Sequence, residues 1–138
     1  MKTIAGFGIA ALVLGSCCTA GAAEKELYEG FAADCALLHK QVIYRGAEGA
    51  PDTRASSAEA CLAAQRIFSR AAFLFRTRAE VLEWLGDPAV VSDYNEPAGD
   101  GPSDPLVYTF DSGFGGNCYT LEFDRAGRVN AVRVESLN

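Results

Sequence analysis

The sequence predicts an α+β domain: an N-terminal helical hairpin, then a short helix and a three-stranded antiparallel β-meander with helices packed on one face. Two observations carry this. Apolar residues between 25 and 85 recur at helical spacing, and from residue 106 onward they alternate as strands do. A third is that glycine-rich turns separate the alternating runs, short enough to make consecutive strands neighbours.

The first helix is expected over residues 25–44. Leu27, Phe31, Cys35, Leu38 and Val42 form one stripe of a 3.6-residue period. Gly46, Gly49, Pro51 and Asp52 then break the pattern and give a loop. Ser56 with Glu59 three positions on reads as a capping box that opens a second helix running to about Ala72. Its stripe is Cys61, Ala64, Phe68 and Ala72. Each helix of this hairpin carries one cysteine on its apolar stripe, so Cys35 and Cys61 are the favoured disulfide. The pairing asks a mid-helix cysteine to meet one near a helix start, and Cys118 is left over.

Phe73-Leu74-Phe75 ends the second helix or connects it onward. Thr77-Arg78-Ala79-Glu80 is a second capping box, opening a short helix from Arg78 to Leu85. Gly86 stops it and Pro88 prevents its resumption. Trp84 on this helix reads as a packing residue over a sheet. Val90-Val91 reads as a short strand, and residues 93–105 as a polar loop. Leu106, Tyr108 and Phe110 alternate on one face of the next strand. A turn at Ser112–Asn117 follows, then Tyr119, Leu121 and Phe123 alternate again. Asp124-Arg125-Ala126-Gly127 is a tight turn, and Arg128 to Val134 is the last strand. Val129 and Val132 stand three apart in it, which suggests a bulge or strong twist.

The chain begins as exported proteins do. Lys2 supplies a basic start, and Ile4–Leu14 is an apolar run of 11 residues, too short to span a bilayer and suited to a secretory signal. Leu14-Gly15-Ser16-Cys17 resembles a bacterial lipobox, which would make Cys17 the acylated N-terminal residue of a chain cleaved after residue 16. Multiple acyl chains would anchor it, since each buried CH₂ contributes about 0.8 kcal/mol. Small residues at Ala20–Ala23 instead suit ordinary cleavage near Glu24, with residues 1–23 as the leader, and an uncleaved anchor is the third reading. Cys18, rather than an aspartate, follows Cys17, which by resemblance to sorting rules favours the outer membrane.

The 138 residues suit one domain, with residues 24–74 and 75–138 packed together. Without residues 1–23 the apolar fraction falls from 49% to about 46% and the net charge goes from −6 to −7. An acidic chain of this kind is not expected to bind nucleic acid or anionic lipid. Five cysteines with a single histidine and no C-x-x-C pair make a structural zinc site unexpected, and no metal ligand or cofactor is assigned.

Catalytic groups are sparse. Cys35 and His39, the single histidine, stand four apart and could form a thiol–imidazole dyad on one helix face. No third orienting residue is evident, and His39 reads better as a half-exposed neighbour of the stripe. Between Arg78 and Arg125 lie ten acids and no base. Asp93, Asn95, Asp100 and Asp104 raise the idea of a calcium loop, but Pro97 stands at the third ligand position and no glycine follows it. Two further readings of this stretch are an acidic contact surface for a basic partner, through Asp93, Asp100 and Asp104, and a solvated loop that keeps the domain soluble. The segment Ser112-Gly113-Phe114-Gly115-Gly116-Asn117 precedes a strand and no helix, so it reads as a turn with no phosphate cradle, and Phe114 at its tip is a candidate contact residue.

From Thr77 onward the residues Thr77-x-x-Glu80-Val81-x-x-x-Leu85-Gly86-x-Pro88, Tyr108 and Leu121-x-Phe123-Asp124-x-x-Gly127-x-Val129 resemble the small outer-membrane lipoprotein A family (SmpA/OmlA). The match covers about 60 residues. It departs at Phe75-Arg76, where the family has Gly-Met, and at Leu106, where it has Trp. The resemblance implies helices on a three-stranded antiparallel sheet, like one repeat of the β-lactamase inhibitory protein. It further implies a lipidated cell-envelope protein without enzymatic activity, whose partner is another envelope protein, possessing no transferable docking residue. The alternative is a secreted or periplasmic inhibitor or binding module of the same fold.

Overall fold

The computed structural model describes residues 27–137. The expected leader, the lipobox and Cys17 lie outside the described residues, as do the first two residues of the expected helix 25–44. The fold is α+β, with two antiparallel sheets of two and three strands. Helix α1 spans Phe31–Leu37. Strands β1 (Gln41–Tyr44) and β2 (Thr53–Ser56) form a hairpin, and helix α2 covers Ala58–Arg70. Helix α3 (Arg78–Leu85) and the single turn α4 (Pro88–Val91) follow. Strands β3 (Leu106–Asp111), β4 (Gly116–Phe123) and β5 (Val129–Leu137) complete the chain as a meander in the order β3–β4–β5.

The expected hairpin of long helices is corrected. Helix α1 ends at Leu37, and residues 41–44 are strand. Val42 matches the helical stripe only by coincidence of spacing. Val-Ile-Tyr is a β-branched and aromatic run, which prefers a pleated surface. The Arg45–Asp52 turn returns it against Thr53–Ser56, with Asp52 accepting a hydrogen bond from the Gly46 amide at 3.2 Å. Three boundaries also move. The N-cap of α2 is Ser57, whose hydroxyl accepts from the Ala60 amide, and α2 ends at Arg70. Val90-Val91 is helical, because Asp87 caps a turn begun by Pro88.

The core forms between α1, α2, α3 and one face of the three-stranded sheet. Leu106, Tyr108 and Phe110 of β3 and Tyr119, Leu121 and Phe123 of β4 are buried on that face. Ala60, Ala63, Ala64 and Ile67 of α2 are buried too, and small residues let this helix approach closely. Phe68 stacks on Tyr119 at 4.1 Å between centroids. Trp84 meets Phe31 edge-to-face at 5.7 Å, the packing role expected of it. The Thr77–Glu80 capping box forms in full. Gly86 follows at φ 82, a conformation a side chain would strain, and its carbonyl accepts the buried Tyr108 hydroxyl at 2.8 Å. The bulge expected in the last strand is present: the β4–β5 register shifts between Glu122 and Phe123.

The sheet's two edges differ. On β3 the Asn95 side-chain Oδ1 accepts the Thr109 amide at 2.8 Å, so a loop side chain engages that edge at its middle. On β5 the Phe75 amide donates to Val129 and the Val129 amide to Arg76, each at 2.8 Å. This hook holds the start of β5, with Phe75 in a left-handed conformation at φ 69.

Candidate functional site

Four exposed apolar or aromatic residues lie on the β1–β2 hairpin and on the β3–β4 turn that Tyr44 reaches, with Val42 and Tyr44 on one face of β1 and Ile43 on the other. Ile43 is 57% exposed, Tyr44 42% and Val42 39%, and Phe114 at the tip of the turn is 92% exposed. The turn is fixed from within. The Ser112 amide and hydroxyl both donate to the Gly115 carbonyl at 3.0 Å, and Asp111 accepts the Gly113 amide at 2.8 Å. A Cβ at Gly116 would collide with the Phe110 carbonyl oxygen, so only glycine permits the reversal that lifts Phe114 clear. Tyr44 reaches the same turn, its hydroxyl donating to the Ser112 carbonyl at 3.3 Å. The hairpin is braced elsewhere by Gln41 on the Val91 carbonyl at 3.2 Å and by Arg54 with Asp93 at 3.6 Å.

The sequence-predicted contact residues therefore divide. Phe114 and Asp93 flank the hairpin from two sides, Asp93 through its ion pair with Arg54. Asp100 and Asp104 lie at the other end of the sheet. There Arg78 donates to the carbonyls of Gly99 and Asp104, and Pro102 lies against Gly127 in the β4–β5 turn. A six-residue strand, about 20 Å long, separates this end from Phe114. The acidic loop is tied down by its own side chains. Asp104 accepts the Gly101 amide, Asn95 holds Thr109 and Pro88, and Asp87 accepts the amides of Ala89 and Ala98. Among the described residues no group of three or more His, Cys, Asp or Glu is placed to hold a metal ion.

Val42, Ile43 and Tyr44 escape a reading based on helical stripes. The signal that finds them is local: a β-branched and aromatic run, then a turn rich in glycine with Pro51-Asp52, then a short second strand.

The cysteines are free thiols in the described residues, and the expected Cys35–Cys61 bridge is not formed. The anchor that α2 offers this part of α1 is Arg66, which pairs with Asp34 and stands five residues, about 7.5 Å of helical rise, beyond Cys61. Burial pushes the Cys35 thiol up to about 12, with the Asp34 charge adding to it, and burial also raises Cys61. Helix α1 ends before His39, whose ring lies near Gly86, so the one-helix-face geometry of a Cys35–His39 dyad is not built.

Among the described residues a part-buried charged cluster joins Asp34, Arg66 and Tyr28. Arg66 grips the carboxylate through two nitrogens, at 2.7 and 3.0 Å, and Tyr28 donates to it at 2.8 Å. The Arg66 hydrogen bonds hold the Asp34 carboxyl below the usual carboxylate range, and burial raises the Tyr28 hydroxyl. No buried side-chain polar atom here lacks a partner, which is the pattern of a structural cluster.

Comparison of the chain with protein-family models, with curated proteins and with solved structures finds no match. The exposed Tyr44–Phe114 face is thus read on its own chemistry. Exposed aromatic side chains on a hydrogen-bonded turn and hairpin supply contact area at low cost in side-chain ordering, as protein-binding surfaces do.

Proposed function

We propose that the protein is a non-catalytic bacterial cell-envelope lipoprotein, a scaffold or protein-interaction module of the SmpA/OmlA kind acting in outer-membrane assembly or maintenance. In this reading Cys17 carries the lipid and the Tyr44–Phe114 face meets an envelope protein. The supporting observation is Phe114, 92% exposed on a turn whose own hydrogen bonds hold it out. A side chain of that size left in water without a partner is disfavoured, and covering it would bury apolar area worth about 2 kcal/mol. The antiparallel order β3–β4–β5 under helices agrees with the fold that the resemblance implies.

The test is a photo-crosslinking residue placed at Phe114, and separately at Arg125 on the far turn, in the cells that express the protein. A discrete envelope-protein adduct at 114 alone is the expected result. Equal labelling at both sites, or none at 114, defeats the reading. Mass spectrometry of the mature N-terminus should show an acylated Cys17. The alternative is a soluble periplasmic or secreted inhibitor, for which a lone aromatic on a rigid turn suits insertion into an enzyme cleft. It predicts a free N-terminus near Glu24 instead.

A further inference from the structure

We infer that β5 is a self-association edge, through which two copies of this chain join their sheets antiparallel about Val134. The first observation is an open strand. Among the described residues, β5 pairs only with β4 beyond the Phe75–Arg76 hook at Val129. No other described backbone group bonds Ala131–Leu137, and Arg133, Val134, Glu135 and Ser136 are all exposed. The strand runs past the core that covers its beginning. An edge of that length with unpaired amides and carbonyls is a template for another strand.

The second observation identifies the occupant. Val132 pairs with Leu121 and Val134 with Tyr119, so both valines lie on the helix-covered face. Arg133 and Glu135 lie on the opposite face, across from Thr120 and Cys118. A two-fold axis perpendicular to the sheet keeps each face on its own side. It therefore pairs residues of like parity, and the axis must pass through one residue. Centred on Arg133, it would set arginine against arginine; centred on Glu135, glutamate against glutamate. Centred on Val134, it sets Arg133 of one copy against Glu135 of the other, twice, with Val134 against Val134 between them. Val132 then faces Ser136, and Ala131 faces Leu137, so no like charges meet.

Val134 is also the midpoint of the open edge, Ala131–Leu137. Val134 is 59% exposed beside the buried Tyr119 with which it pairs, and pairing would cover it. Arg133 already donates to Glu122 through its Nε at 3.0 Å, and its other guanidinium nitrogens are available to the second copy's glutamate. The product is a six-stranded sheet with the helices of both copies on one side.

The test uses the purified full-length chain in mild detergent, followed by native mass spectrometry and sedimentation. The wild type should appear at twice the mass of the single chain as purified. Arg133→Glu alone and Glu135→Arg alone each place like charges opposite one another and should weaken the dimer at least tenfold. Mixed together, the two variants should recover a heterodimer, because every cross-strand pair is then opposite in sign. That recovery also shows that both variants are folded. Val134→Cys should form a disulfide-linked dimer under mild oxidation, since directly opposed strand residues lie within disulfide reach. A wild type that stays monomeric at its highest soluble concentration overturns the inference. So does a dimer indifferent to either charge change, or a mixture of the two variants that stays monomeric. The Phe114 crosslink is read separately, so loss of one result leaves the other standing.

Discussion

Arg66 closes on Asp34 with Nη2 at 2.7 Å from one carboxylate oxygen and Nε at 3.0 Å from the other, tying helix α2 to helix α1. The pairing holds the Asp34 carboxyl below its ordinary value, with the Tyr28 hydroxyl adding a third bond. A carboxyl that titrates lower in the folded chain than in the unfolded one stabilises the fold fully above the unfolded value of about 3.9. That stabilisation fades as the pH drops through the folded value. Asp34→Asn should therefore melt lower than the wild type at pH 7. It should also lose less stability than the wild type between about pH 4 and pH 2. Parallel melting curves across that range would refute the account.

The Tyr108 hydroxyl is buried and has the Gly86 carbonyl as its partner. Tyr108→Phe removes the donor and leaves that carbonyl short of one bond in the interior. The expected cost is about 1–2 kcal/mol, read from urea denaturation with an unchanged slope.

Thr77 caps helix α3 and pairs with Arg128 beside the hook on β5. Thr77→Ala should cost about 1 kcal/mol, and Thr77→Ser much less, because serine keeps the capping oxygen. Equal costs for the two would argue that the threonine methyl, and not the cap, is what counts.

Phe114 separates stability from binding. Phe114→Ala should leave stability within about 0.5 kcal/mol, as for any side chain that touches little. Envelope-partner capture through a photo-crosslinker at Tyr44 should nonetheless drop. A large fall in melting temperature would show that the turn tip packs somewhere unforeseen.

Cys35 should be slow to react. With its thiol raised to about 12, the thiolate at pH 8 is on the order of 10⁻⁴ of the population. Iodoacetamide labelling followed by peptide mapping should modify Cys35 far faster in urea than in the native chain. Rapid native labelling would reopen the nucleophile reading.

The three-stranded sheet was legible because its residues obey one rule at a time. Leu106, Tyr108 and Phe110 alternate strictly, and Gly127 marks the turn. Thr77 and Glu80 announced helix α3 because a capping box is local in sequence and needs no tertiary help. The β1–β2 hairpin was hidden by Val42, which extends a helical stripe by chance, although Ile43 and Tyr44 beside it favour a strand. The separation of Asp93 from Asp100 and Asp104 could not be read from spacing, because Arg54 and Arg78, from distant parts of the chain, decide where each end of the loop is held. The missing Cys35–Cys61 bridge is similar: it depends on which residue of α2 stands at the height of Asp34.

The Asn95 side chain on Thr109 also limits growth. With the Thr109 amide in the middle of β3 already engaged, a strand added there would have to displace Asn95, an obstacle β5 does not present. Two chains joined at β5 would turn both β3 edges outward, each obstructed at Thr109, which favours a pair over a lengthening sheet.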